Sequence, residues 1–223
     1  MTVTHTHTHL ETVAVLGAGG TMGFPIARNL ARSGIPVRAW NRSRDEVEPL
    51  TRDGIRIADT PADAARGAGI VITMLADGEA VTEAMEGPDG ALAAMPGANQ
   101  ENGNRTEEPN GPPHALWVQM STIGQEATKR CAELANRAGV GFVDAPVLGA
   151  RQPAEQRKLI VLESGPEEAR PRTQPVFDAI ADRTVWAGQA GGGSRLKLLI
   201  ETRDDLDAGA NYPASIPGQR QHR

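Results

Sequence analysis

A single cysteine, Cys131, occurs in the chain, so no internal disulfide framework can form. Aromatic residues make up only 3% of the 223 residues, which leaves Ala, Val, Leu and Ile to build the core. Basic residues are not in excess: Lys plus Arg total 23 against 28 Asp plus Glu, a formal net charge of −5. A nucleic-acid partner usually needs a basic face, so none is expected. No run approaches the roughly 18 apolar residues of a membrane helix. The opening MTVTHTHTHL has no apolar stretch of the kind a secretory signal carries. A cytoplasmic protein with no membrane partner is the expectation.

Glycine is plentiful, at 25 residues. A Gly- and Ala-rich, aromatic-poor chain suits closely packed helix–strand layers better than a β-sandwich. Residues 1–10 read as a solvated, disordered end. Its His5, His7 and His9 could hold a metal only weakly, and no metal is expected. Residues 11–16 (ETVAVL) read as a buried strand, followed at once by the glycines of residues 17–23. FPIARNLARSG reads as a helix, with Gly34 just past its end as a left-handed cap. Residues 35–40 form the second strand.

The alternation then continues. Helices are expected at 44–52, 61–67, 78–86 and 125–138, and strands at 55–58, 69–75, 116–120 and 141–145. The strand at 69–75 (GIVITML) is the most hydrophobic and should be central. The expected fold is therefore α/β, a Rossmann-like, doubly wound and mostly parallel sheet with helices on both faces. It is expected to span residues 11–190. Residues 97–113 interrupt it as a flexible insertion rich in Asn, Glu, Pro and Gly.

The glycine turn carries the chemistry. A glycine-rich turn between strand and helix lets backbone amides approach a pyrophosphate, and the helix N-terminus faces the anion with free N–H groups. Gly17, Gly19, Gly20 and Gly23 fit those tasks, with Thr21 and Met22 between them. The pattern G-x-G-G-x-x-G is one residue longer than the standard fingerprint, and Gly20 can take the second glycine's role. Where an NAD-binding unit places an acidic residue after the second strand, this chain has Asn41-Arg42-Ser43-Arg44. Arg42 suits a 2′-phosphate, with Asn41 and Ser43 as hydrogen-bond donors. NADP is the expected cofactor, with NAD less favoured.

Several segments, in order, resemble the β-hydroxyacid dehydrogenase family, which includes 3-hydroxyisobutyrate dehydrogenase and, more distantly, 6-phosphogluconate dehydrogenase. They are VAVLGAGGTMGFPIARNL, WNRS, VITMLAD, MSTIG, DAPVLGARQPAEQRKLIVLESG and GGGSRLK. The resemblance implies that Leu75, Ala76 and Asp77 lie along the cofactor. It implies that Ser121 and Thr122 contact the nicotinamide side and the substrate. It assigns Gly149, in the turn 147–150, to substrate binding. It makes Lys197 the catalytic lysine, a general base or acid for the hydroxyl proton. The implied substrate is a small hydroxy acid or its carbonyl counterpart.

This chain departs from the family in places. Gln119 replaces an acidic residue, Leu148 a common Ser and Ala150 a common Gly. Glu201 stands where Asn is usual, one helical turn from Lys197. Residues 191–201 read as the start of an interdomain helix, and residues 202–223 as a disordered tail. Absence of the family's helical domain would leave apolar surface open to self-association. A cofactor-binding module with little catalysis is the alternative reading.

Overall fold

The computed structural model describes residues 10–95, 97 and 114–209, with the backbone alone over 204–209. The expectations for residues 1–9, for most of the 97–113 insertion and for 210–223 lie outside the described residues.

The first half alternates as expected: β1 (Val13–Leu16), α1 (Gly23–Arg32), β2 (Val37–Trp40), β3 (Arg56–Ile57), α2 (Pro61–Ala65), β4 (Ile70–Thr73) and α3 (Gly78–Glu86). Then come β5 (Leu116–Gln119), α4 (Gly124–Arg137) and β6 (Gly141–Asp144). The six strands form one sheet in the order β3-β2-β1-β4-β5-β6, and every neighbouring pair is parallel. This is a doubly wound Rossmann order, with its switch point between β1 and β4.

Burial on both faces follows from strand geometry. In β1, Val13 and Val15 point to one layer while Ala14 and Leu16 point to the other. The first layer contains Ile26, Ala27 and Leu30 of α1. The second contains Ala64 of α2, Met85 of α3 and Leu134 of α4. Helices therefore cover both faces, and β1, β4 and β5 are buried along their whole length. Trp117, one of few aromatics, meets Phe142 edge-on at 5.3 Å.

Three features differ from the sequence reading. The segment expected to be a helix at 44–52 is two 3₁₀ turns, Arg44–Glu46 and Glu48–Asp53. Pro49 lacks the N–H that a continuous α-helix would use there. Beyond β6 the chain builds a second sheet from β7 (Val147–Leu148), β8 (Leu159–Glu163) and β9 (Ala181–Trp186), in the order β7-β8-β9. Helices α5 (Arg151–Glu155) and α6 (Arg170–Ile180) connect these strands. Asn29 of α1 donates its amide to the Ala154 carbonyl at 2.8 Å, which fastens this layer to the main unit.

The third difference is α7, which runs from Gly192 to Gly209 and so continues past Glu201. Residues 202–208 lack an amphipathic pattern, but they also lack Pro and Gly. The missing apolar stripe removed the helix signal from the sequence, while the backbone is helical to Gly209. No helix among the described residues is long and apolar enough to cross a membrane.

Candidate active site

A cleft of about 820 Å³ opens at the carboxyl ends of β1, β2 and β4. Open α/β sheets bind ligands at such a switch point. Its walls include Gly17, Gly20, Asn41, Arg42, Ser43, Leu75, Ala76 and Asp77. The expected cofactor residues from three separate segments thus meet in one cavity. Gly19, Thr21, Met22, Gly23 and Thr122 are not on its wall, and the first four complete the glycine turn behind it.

The glycines have different reasons to be glycine. Gly17 has φ +90°, and a Cβ there would lie 2.2 Å from the Met74 carbonyl oxygen. A Cβ on Gly23 would lie 2.0 Å from the Gly17 carbonyl oxygen. That position lets the start of α1 press on the turn. A Cβ on Gly19 would run into the Asn41 amide at 2.6 Å. Gly20 differs from all three: a Cβ there would meet only the Gly17 oxygen, at 3.5 Å. Packing does not require glycine at 20, yet Gly20 lines the cleft.

The N–H groups of Gly19, Thr21 and Met22 have no backbone partner among the described residues. Helix α1 has no acidic residue in its first turn. Unpaired amides, a positive dipole end and an open glycine suit a pyrophosphate. The residues present therefore fit a dinucleotide.

At the end of β2, the Asn41 amide donates to Glu46 Oε2 at 2.6 Å and to the Ser43 carbonyl at 3.2 Å. Arg42 reaches across to α3, with Nη2 3.1 Å from Glu83 Oε2. Both side chains are well exposed, at 76% and 69%. Arg44 pairs with Asp59 and Glu48. Glu46 and Glu83 also line the cleft. The sequence reading did not single them out. Glu83 lies 41 residues from Arg42, and nothing local links the two.

The 75–77 turn is held from below. Leu75 N–H donates to Ser121 Oγ at 2.8 Å, and that hydroxyl faces the Thr73 carbonyl at 3.2 Å. Ser121 N–H donates to Gln119 Oε1 at 2.8 Å, and the Gln119 amide returns a bond to the Ser121 carbonyl. Ser121 is only 1% exposed. Its hydroxyl is committed inside the protein, and it ties β5 to the end of β4. This differs from the substrate contact expected of it, whereas Thr122 beside it is exposed. Asp77 caps α3 by accepting from the Ala80 N–H at 2.8 Å.

Lys197 sits on α7, 9% exposed. Its Nζ donates to the Val147 carbonyl at 2.9 Å and pairs with Glu201 Oε1 at 2.7 Å. The lysine is thereby joined to the 147–150 turn, where Gly149 has φ +122° and a Cβ would press on Leu159 at 2.9 Å. Lys197, Thr122, Ser121 and Gly149 are outside the wall of the cleft.

A residue the sequence reading passed over anchors this region. Asp144, at the end of β6, is fully buried. It accepts from Ser194 N–H and Ser194 Oγ at 2.8 Å each, and from Ser164 Oγ at 3.2 Å. It thus caps the start of α7, one turn before Lys197. Burial raises its carboxyl above the usual 3.8, and the hydrogen bonds from Ser194 and Ser164 oppose that rise. Burial likewise lifts the Cys131 thiol to about 11, so it is protonated at neutral pH. Among the described residues no group of three or more His, Cys, Asp or Glu could hold a metal ion.

Comparison with known proteins agrees with this geometry. Residues 12–188 match the model of the NAD binding domain of 6-phosphogluconate dehydrogenase. An uncharacterized oxidoreductase of Bacillus subtilis is 35% identical over 177 residues, 79% of this chain and 56% of that protein. The 3-hydroxyisobutyrate dehydrogenase of Pseudomonas aeruginosa is 31% identical over 186 residues, 83% of this chain and 57% of its own length. Among solved structures, Mycobacterium tuberculosis 3-hydroxyisobutyrate dehydrogenase with L-serine aligns with a TM-score of 0.78 at 27% identity. That match covers 90% of this chain and 62% of the other. The chain thus spans little more than half the length of the curated relatives it matches. The cleft at the switch point, the sheet order and these matches lead to one conclusion: the chain belongs to the family of the NAD binding domain of 6-phosphogluconate dehydrogenase, the β-hydroxyacid dehydrogenase group of nicotinamide dinucleotide-binding proteins.

Proposed function

We propose that the chain binds NADP(H) in preference to NAD(H), and that the protein transfers hydride between the nicotinamide and a small hydroxy acid or its carbonyl counterpart. The observation that carries the cofactor reading is Arg42 on the cleft wall at the end of β2, where an NAD-binding unit would place a carboxylate. A guanidinium binds a phosphate through two parallel N–H bonds. Asn41 and Ser43 stand beside it on the same wall.

When bound, the nicotinamide supplies the hydride chemistry. The protein's part is to hold the substrate oxygen and move its proton. In the oxidation direction, Lys197 would accept the hydroxyl proton at Nζ while hydride passes from the carbon bearing that oxygen to the nicotinamide. In the reduction direction the ammonium returns the proton. The turn at 147–150, tied to Lys197 through the Val147 carbonyl, supports a substrate role for Gly149. Thr122, exposed beside the 75–77 turn, is the second substrate contact in this reading. Ser121 acts by positioning that turn. Self-association through Leu198 and Leu199 of α7, 51% and 69% exposed, and a cytoplasmic setting belong to the same proposal.

A second reading has its own support. Nζ of Lys197 is occupied by Glu201 and by the Val147 carbonyl. A cofactor-binding module with little catalysis is consistent with that. Purified protein assayed with NADP⁺ and a panel of 3-hydroxy acids separates the two. Turnover that disappears in Lys197→Ala supports the enzyme. Tight cofactor binding without turnover leaves the binding module.

A further inference from the structure

Three side chains at the corner after β2 already meet a carboxylate. Arg42 faces Glu83, Asn41 donates to Glu46, and Arg44 pairs with Asp59 and Glu48. We propose that Glu83 limits the affinity for the phosphorylated cofactor by competing with its 2′-phosphate for Arg42. The inference rests on the reading of Arg42 as the 2′-phosphate ligand and adds a specificity-determining residue on a different element.

Phosphate binding at this corner is an exchange of partners. A 2′-phosphate that takes the planar edge of Arg42 must displace Glu83 from Nη2 or share it. The displaced carboxylate stays on the cleft wall and repels the incoming dianion. A cofactor that ends in a 2′-hydroxyl makes no such demand and leaves the pair in place. Glu83 therefore weakens binding of one cofactor and is neutral toward the other. Its location permits this role to be removed cleanly. Helix α3 buries Val81, Ala84 and Met85, while Glu83 projects into the solvent-exposed cleft. Glutamine keeps the shape and the helix propensity while removing the charge.

The test is a titration of the full chain with NADPH and with NADH, following nicotinamide fluorescence, for the parent, Glu83→Gln, Arg42→Ala and the double variant. Glu83→Gln should tighten NADPH by about three- to tenfold, the scale of an exposed ion pair plus one screened repulsion. NADH should change by less than about twofold, since no charge on it faces Arg42. The NADPH gain should shrink at 1 M salt, where the screening length falls to about 3 Å. It should shrink when Arg42 is Ala, where only the screened repulsion remains. An unchanged NADPH affinity in Glu83→Gln, with Arg42→Ala still weakening NADPH, overturns the role of Glu83 and leaves that of Arg42. Equal tightening of NADH also overturns it. An Arg42→Ala protein that binds NADPH as well as the parent removes the underlying reading, and this inference with it.

Discussion

Gly20 and Gly23 lie three residues apart in one turn, yet their substitution by alanine should have opposite signatures. At Gly23 the new Cβ would sit 2.0 Å from the Gly17 carbonyl oxygen. A carbon and an oxygen need about 3.2 Å or more, so α1 must retreat from the turn by roughly 1 Å. The turn and the start of α1 adjoin the core layer that holds Ala18 and Ile26. A forced shift in such packing costs about 1–3 kcal/mol, and for a domain of this size lowers the melting temperature by several degrees, about 2–4 °C per kcal/mol. At Gly20 the new Cβ would meet only the Gly17 oxygen, at the ordinary contact distance of 3.5 Å. Stability there should hold, or rise by about 0.4–1 kcal/mol as the unfolded chain loses freedom. Cofactor binding should instead fall. A methyl group on the cleft wall pushes the pyrophosphate off the amides, and each charge-assisted bond lost is worth about 1.5–3 kcal/mol, about 10- to 100-fold in Kd. Thermal melts and NADPH titrations of the two variants, side by side, measure both effects. A Gly20→Ala protein that loses stability as Gly23→Ala does, or that binds NADPH normally, refutes the assignment of Gly20 to the ligand.

Ser121→Ala removes a buried hydroxyl that accepts from Leu75 N–H, and should destabilise the fold by about 1–3 kcal/mol in urea unfolding. A neutral result would mean that the hydroxyl is not the tie between β4 and β5. Asp144 sets a pH dependence of known sign. Its native carboxyl is raised above the ordinary 3.8, so the native state holds its proton more tightly than the unfolded chain. Its contribution is therefore greatest below the ordinary value and falls as pH rises through the raised native value. The stability advantage of the parent over Asp144→Asn, from urea melts across that window, should shrink as pH rises; an advantage that grows would contradict the burial argument. Cys131, with its thiol pushed up to about 11, should react with a thiol reagent at neutral pH only when the protein unfolds. Fast labelling of the folded protein would contradict this.

The first half of the fold was legible because its signals are local. Alternating apolar strands, the glycine turn and the Gly34 cap each lie within a few residues of what they specify. The strand at 70–73 was readable as central because both its faces are apolar. The second sheet was not legible: β7 has two residues, and β9 is only partly buried, so neither carries a clear period. The end of α7 was misread because apolar periodicity was the signal used to read helices, and residues 202–208 have none. In the site, the glycine turn and the basic corner were read from type and spacing, and the 75–77 turn from the family resemblance; residues of all three line the cleft. Glu83 was not, since its pairing with Arg42 exists only once α3 folds against the end of β2. Ser121 was found for its position, but its commitment to Thr73 and Leu75 depends on how β4 and β5 register.

The central claim is that the corner after β2 selects the phosphorylated cofactor. One measurement tests it most directly: dissociation constants of the parent chain and of Arg42→Ala for NADPH and NADH in the same low-salt buffer. The account predicts that the parent binds NADPH more tightly, by about tenfold on the scale of one arginine–phosphate interaction, and that the preference collapses in Arg42→Ala. Equal affinities in the parent, or a preference unchanged by Arg42→Ala, would contradict it.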